Sequence, residues 1–170
     1  VFDVPIDLQV VPMEHYHRGI TKQSNALMCK LSPNLPNLDA CYGYSFLGLL
    51  GEVAPFDGGL GTDKAFQCIG LPDSMSLSKH TWYQVRSMLK EHGIESRLHR
   101  YYSNRKKSYF NGLLVSVKDI NELASFSTFL DVLRFFKKQG VKITFSPDFD
   151  AVIGTDKVRS FLDGALKRTD

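Results

Sequence analysis

The side chains best suited to chemistry are concentrated in one stretch. Arg97, His99, Arg100, Arg105, Lys106 and Lys107 lie within eleven residues, interleaved with Tyr101, Tyr102 and Tyr109. Guanidinium and ammonium groups contact phosphates and base edges, and tyrosine rings stack on unpaired bases, so this set points to DNA or structured RNA. Gln67 is a further candidate for base readout, since glutamine can pair with adenine. The other reading is a solvated basic face. Cys41 opens an apolar stretch, Asp39-Ala-Cys-Tyr-Gly-Tyr-Ser-Phe. A thiol near a helix N-terminus has a lowered pKa, and His99 is a candidate base for it, so a cysteine hydrolase or peptidase using Cys41 and His99 is the alternative activity. Set against it is Cys41 as a small buried hydrophobe. His15 and His17 share one side of an extended segment, but no third ligand for a metal lies within sequence reach.

The charge distribution favours the basic segment. Residues 79–118 hold nine Lys/Arg against two Glu, a local excess of +7 in a chain whose net charge is only +3, whereas residues 1–78 are net acidic. Such an excess is an electrostatic footprint for phosphate. At 170 residues and 43% apolar the chain is long enough for one domain with a core. Three cysteines, none in a Cys-x-x-Cys pair, argue against a disulfide framework or a zinc knuckle and for a reducing compartment. No apolar run approaches a membrane span, and the acidic, proline-broken start is not a secretory signal. The expected setting is intracellular, either organellar (mitochondrial, from a processed start) or cytoplasmic, with no membrane partner.

The elements that must position these groups follow from pattern. Residues 1–38, broken by Pro5, Pro12, Pro33 and Pro36, read as an extended arm with a short strand near Leu8–Val11. Asp39 is expected to cap a helix running to Glu52 and stopped by Pro55. A turn over 56–61 and a strand over 64–69 follow. Ser78 caps a second helix with Trp82, Val85 and Leu89 inward, ended by Gly93. Residues 94–102 alternate, Ser103–Lys107 is a polar tip, and Tyr109–Val117 returns as the second strand of a hairpin. Asp119 is expected to cap a third helix ending at Gly140, with the aromatic run Phe126, Phe129, Phe135 and Phe136 read as core. A strand at 141–145 and a last helix from Thr155 complete an α+β domain over 39–170.

This order resembles the LAGLIDADG homing-endonuclease family over about residues 40–138. The likeness is carried by Tyr44-Ser-Phe-Leu-Gly-Leu-Leu-Gly-Glu-Val-Ala-Pro-Phe-Asp-Gly-Gly, by Leu71-Pro-Asp-Ser-Met-Ser before the second helix, and by the hairpin and Val117-Lys-Asp-Ile-Asn-Glu-Leu-Ala-Ser-Phe. The resemblance implies a helix–strands–helix–hairpin–helix unit. Its opening helix delivers an acid, Asp57 or Glu52, as catalytic residue and ligand to Mg²⁺, and the strands form a saddle in the DNA groove. One motif in one chain implies a homodimer. Glu52 is followed by Val53, and Asp57-Gly58 lies beyond Pro55, both departures from the family's Asp-Gly ending. A relative that binds DNA or RNA without cutting, in splicing or a ribonucleoprotein, is therefore the other outcome the resemblance allows.

Overall fold

A computed structural model describes residues 5, 7–14, 31–75 and 77–164, in two compact units divided between Lys30 and Leu31. In the first unit the described residues 7–14 form no strand, and Leu8, Val10, Val11 and Met13 are exposed, so the strand expected near Leu8–Val11 is absent there. His15 and His17 lie outside the described residues.

The second unit is α+β. Its first helix, α1 (Leu38–Leu47), starts two residues before the expected point because Asn37, not Asp39, caps it: Asn37 Oδ1 accepts from the Ala40 amide at 2.9 Å. Asp39 falls in the first turn and accepts a hydrogen bond from Ser116 Oγ at 3.1 Å. The helix also stops early. Gly48 ends it, Leu49–Glu52 tightens into a 3₁₀ turn, and Val53–Ala54 becomes a strand, β1. Glycines weaken a helix interior by about 1 kcal/mol each relative to alanine. Here an alternative end is available, because β1 pairs with β5 (Thr144–Phe145).

The central sheet has strand order β2 (Cys68–Pro72), β4 (Ser108–Val117), β3 (Ile94–Ser103), all antiparallel. β2 starts later than expected because residues 61–66 are turn and Phe66 adopts a positive φ of 56°. The hairpin follows the period-two pattern, with Ile94 opposite Val117 and Ser103 opposite Ser108. Between β2 and β3 lies α2 (Lys79–Glu91), where Ser78 Oγ accepts from the Thr81 amide at 3.0 Å and Gly93, at φ 69°, turns the chain into β3. α3 (Ser125–Lys138) begins later than Asp119, whose carboxylate instead holds a turn by accepting from the Asn121 amide. The short helices α4 (Phe149–Ile153) and α5 (Lys157–Leu162) close the described chain, α4 where no element was expected.

The two faces of the sheet are filled differently. Ile69, Leu71, Leu113, Val115 and Val117 pack with Trp82, Val85 and Leu89 of α2, Phe129, Leu133 and Phe136 of α3, and Phe46 and Leu47 of α1. Each fully buried side chain of this size contributes about 1.5–3 kcal/mol. Of the aromatic run read as core, Phe129 and Phe136 are fully buried, whereas Phe126 is half exposed. Among the described residues the opposite face holds a small cluster, Cys68, Tyr101 and Phe110, with Leu114 packed against it.

Candidate functional site

On the sparsely packed face the link to the rest of the fold is polar. Asp57 is 4% exposed and its carboxylate is fully engaged. Oδ1 accepts from Tyr101 Oη and the Gly59 amide, both at 2.8 Å, and Oδ2 accepts from Ser103 Oγ at 3.1 Å. The backbone of Asp57 exchanges two hydrogen bonds of 3.0 Å with Gly70, which moors the 57–67 loop to the edge of β2. Tyr101 crosses over Gly70, and a Cβ there would meet the phenol ring. Burial, followed by the Asp57 charge, raises the Tyr101 phenol far above its ordinary range, so it is a fixed donor. Burial pushes the Cys68 thiol up to about 12. Beside this cluster lies a groove of about 450 Å³ that includes Gln67, Arg97, Lys64 and Asp39.

On the other face the distal half of the hairpin extends past the start of α2 and forms a platform. Alternation puts Leu98, Arg100 and Tyr102 of β3 on this side, beside Asn111 and Tyr109 of β4. Tyr102 and Tyr109 meet edge to face at 5.1 Å and remain 43% and 48% exposed. The Arg100 guanidinium lies 4.1 Å from the Tyr109 ring centroid, and Asp73 fixes it through Arg100 Nη2 at 2.6 Å and Nε at 3.1 Å. Met75, Leu77, Lys79 and Trp82 wall the platform, enclosing a groove of about 330 Å³ with Leu98, Arg100 and Asn111.

The expected site residues are therefore dispersed. Glu52 accepts from Ser146 Oγ at 2.6 Å, whereas Asp57 serves Tyr101 and Ser103, so the two acids have separate structural partners. Among the described residues no three His, Cys, Asp or Glu converge on a point that could hold a metal ion. Gln67 and Arg97 line one groove, while Arg100 and Tyr102 stand on the opposite face. Arg105, Lys106 and Lys107 are exposed at the hairpin tip. His99 stacks on Tyr101 at 5.5 Å, and burial, then Arg97, lowers its pKa. Cys41 makes no hydrogen bond to His99 among the described residues. Pattern reading missed Asp73, Asn111 and Trp82 as walls of the platform. The signal available was the alternation that aligned Leu98, Arg100 and Tyr102, extended across a tight hairpin to residues 109 and 111.

Comparison with known proteins identifies the family. The model of the C-terminal domain of the exo-β-N-acetylmuramidase NamZ matches residues 42–170. Among solved structures, a DUF1343 family protein from Bacteroides fragilis superposes with a TM-score of 0.54 at 20% identity, over 78% of this chain. The match takes in 33% of that protein, so this chain spans about a third of its length. No curated protein matches. The family match overturns the LAGLIDADG resemblance, and with it the nucleic-acid-binding and homing-endonuclease readings; the cysteine-hydrolase alternative is not supported either. The physical reasons lie in the fold: the opening helix breaks at Gly48 before it reaches either acid, Asp57 is a buried loop anchor, and the basic side chains divide between two faces and a tip. The chain belongs to the family of the C-terminal domain of the exo-β-N-acetylmuramidase NamZ.

Proposed function

We propose that this chain is the glycan-recognition part of an exo-acting β-N-acetylmuramidase, holding a muramyl-containing saccharide on the hairpin platform while its terminal sugar is removed. The family match over residues 42–170 carries the reading. The platform supports it: sugar rings present C–H faces that pack on exposed aromatic rings, and their hydroxyls pair with planar polar groups. Tyr102 and Tyr109 supply the rings, and Asn111 and the Asp73-fixed Arg100 supply the planar groups. The pre-set guanidinium loses little freedom on binding, which favours affinity. Bond cleavage by most glycosidases uses two carboxyl groups flanking the glycosidic oxygen. Asp73 holds Arg100 through Oδ2, and among the described residues no carboxyl group lines the groove itself, so we assign the platform to binding and orientation.

Titration of the isotopically labelled chain with an N-acetylmuramyl–N-acetylglucosamine disaccharide tests this. Saturable shifts at Tyr102, Tyr109 and Asn111 are expected, and Tyr102→Ala combined with Tyr109→Ala should weaken binding about tenfold, or about 1.4 kcal/mol. Shifts confined to other surfaces, or none, would overturn the assignment.

A further inference from the structure

The central sheet has two edges, and they are finished differently. At β2 the outer edge is covered, because Gly70 exchanges two hydrogen bonds of 3.0 Å with Asp57. The other edge is β3, ten residues long and paired only with β4. We propose that the distal half of β3 is a docking edge for an extended acidic segment of a partner protein, which adds to the three-stranded sheet as a further strand.

The register shows which backbone groups are free. The Val115 amide of β4 turns toward β2 and donates to the Gln67 carbonyl at 2.8 Å. Its opposite number on β3, Ser96, therefore turns its own amide and carbonyl away from β4, and by alternation so do Leu98, Arg100 and Tyr102. The Ser96 carbonyl is covered, since it accepts from Arg86 Nε of α2 at 2.9 Å. Beyond Ser96, among the described residues, no hydrogen bond reaches the outward amides and carbonyls of Leu98, Arg100 and Tyr102. All three residues are exposed. Arg86 thus closes the proximal part of the edge, and the distal part is bare. A row of unpaired amides and carbonyls is a template for another strand.

The charges along the edge select the strand. The open span, residues 97–102, carries Arg97, His99 and Arg100 and no acid. Arg100 is held by Asp73, whereas Arg97 is exposed and has no carboxylate partner among the described residues. The acid of β3, Glu95, lies at the closed end and faces Lys118 at 3.8 Å. A second copy of β3, paired antiparallel about the middle of the open span, would set Arg100 opposite Arg100, and like charges directly opposite are destabilising. A strand with acids at alternate positions meets Arg97 on one face and lays its remaining side chains beside Leu98 and Tyr102 on the other. This docking rests on the β3 backbone and Arg97, so it and the saccharide reading can fail separately.

The test titrates the isotopically labelled chain at low salt with the peptide acetyl-Glu-Val-Glu-Val-Glu-Val-amide, with its counterpart carrying Lys for Glu, and with forms N-methylated at every Glu or at every Val. In the free chain the Leu98, Arg100 and Tyr102 amides should exchange with heavy water faster than those of His99 and Tyr101, which face β4. The acidic peptide should slow their exchange at least tenfold, and the Lys peptide should bind at least tenfold more weakly. Methylation of one alternate set, and not of the other, should abolish binding, because one set of a strand's amides faces its neighbour. Arg97→Glu should weaken binding at least tenfold. Leu98→Pro, which removes an outward amide and no bond of the β3–β4 ladder, should do the same, while Tyr109→Ala leaves binding unchanged. Native-like amide spectra and melting curves for the variants separate lost binding from lost fold. No saturable binding, equal binding of the acidic and basic peptides, full affinity in Arg97→Glu, or the same effect from both methylated sets would overturn the proposal. So would a concentration-dependent dimer that protects the same amides, since it would give the edge to a second copy.

Discussion

The two faces of the β3–β4 hairpin are built from the same strands under the same alternation, yet one presents tyrosines to solvent and the other hides one. Tyr102 and Tyr109 stand half exposed, while Tyr101, one residue away, is 9% exposed and donates to Asp57. The difference lies in what covers each face. α2 covers the proximal half of one face and leaves the distal half open, whereas the 57–67 loop is moored over the other by a buried carboxylate. Position along the strand and the length of the covering element thus decide whether a tyrosine acts in packing or is available for recognition.

That comparison can be broken from the buried side with the largest effect. Asp57→Ala strands the Tyr101 and Ser103 hydroxyls and the Gly59 amide, and should cost about 3 kcal/mol in urea unfolding, since removing a charged hydrogen-bond partner leaves buried groups unsatisfied. An effect below 1 kcal/mol would mean that the loop is not held this way. On the open side, Tyr109→Ala should change stability by no more than about 0.5 kcal/mol, because the ring is half exposed. Its saccharide affinity should nevertheless fall severalfold, as Arg100 loses the ring it stacks on. Tyr101→Phe keeps the ring and removes only the hydroxyl, so a loss of about 1 kcal/mol in the same unfolding assay is expected. The smallest effect concerns pH. The folded-state pKa of His99 is depressed by burial and Arg97, so the unfolded chain binds the proton more readily. Stability should therefore decline as pH falls through the ordinary histidine range, and His99→Gln should flatten that slope. A steeper acid slope in His99→Gln would reverse the sign of this assignment.

Much of the scaffold was legible because local rules and packing agreed. Ser78 as cap, the Trp82–Val85–Leu89 stripe and Gly93 as terminator define α2 within a residue, and the hairpin follows from two alternating runs around a polar tip. The first helix was misread because Asp39 and Asn37 are both good caps, and nothing local says that Asp39 will be used by Ser116, 77 residues away. Its far end was misread because the partner of β1, Thr144–Phe145, is equally remote. The charge cluster at 97–107 was real as a sequence feature and misleading as a functional one, since it counts residues along the chain, whereas recognition depends on which face each occupies.

By itself the sequence determined the α+β class, the α2–hairpin core and the face on which Leu98, Arg100 and Tyr102 align, because these follow from short-range periodicity and capping. Only the tertiary structure decided that Asp57 is an anchor rather than a metal-ready acid and that Glu52 belongs to Ser146. Those outcomes rest on desolvation and on contacts between residues 40 or more positions apart in most cases, and neither quantity is encoded in local spacing.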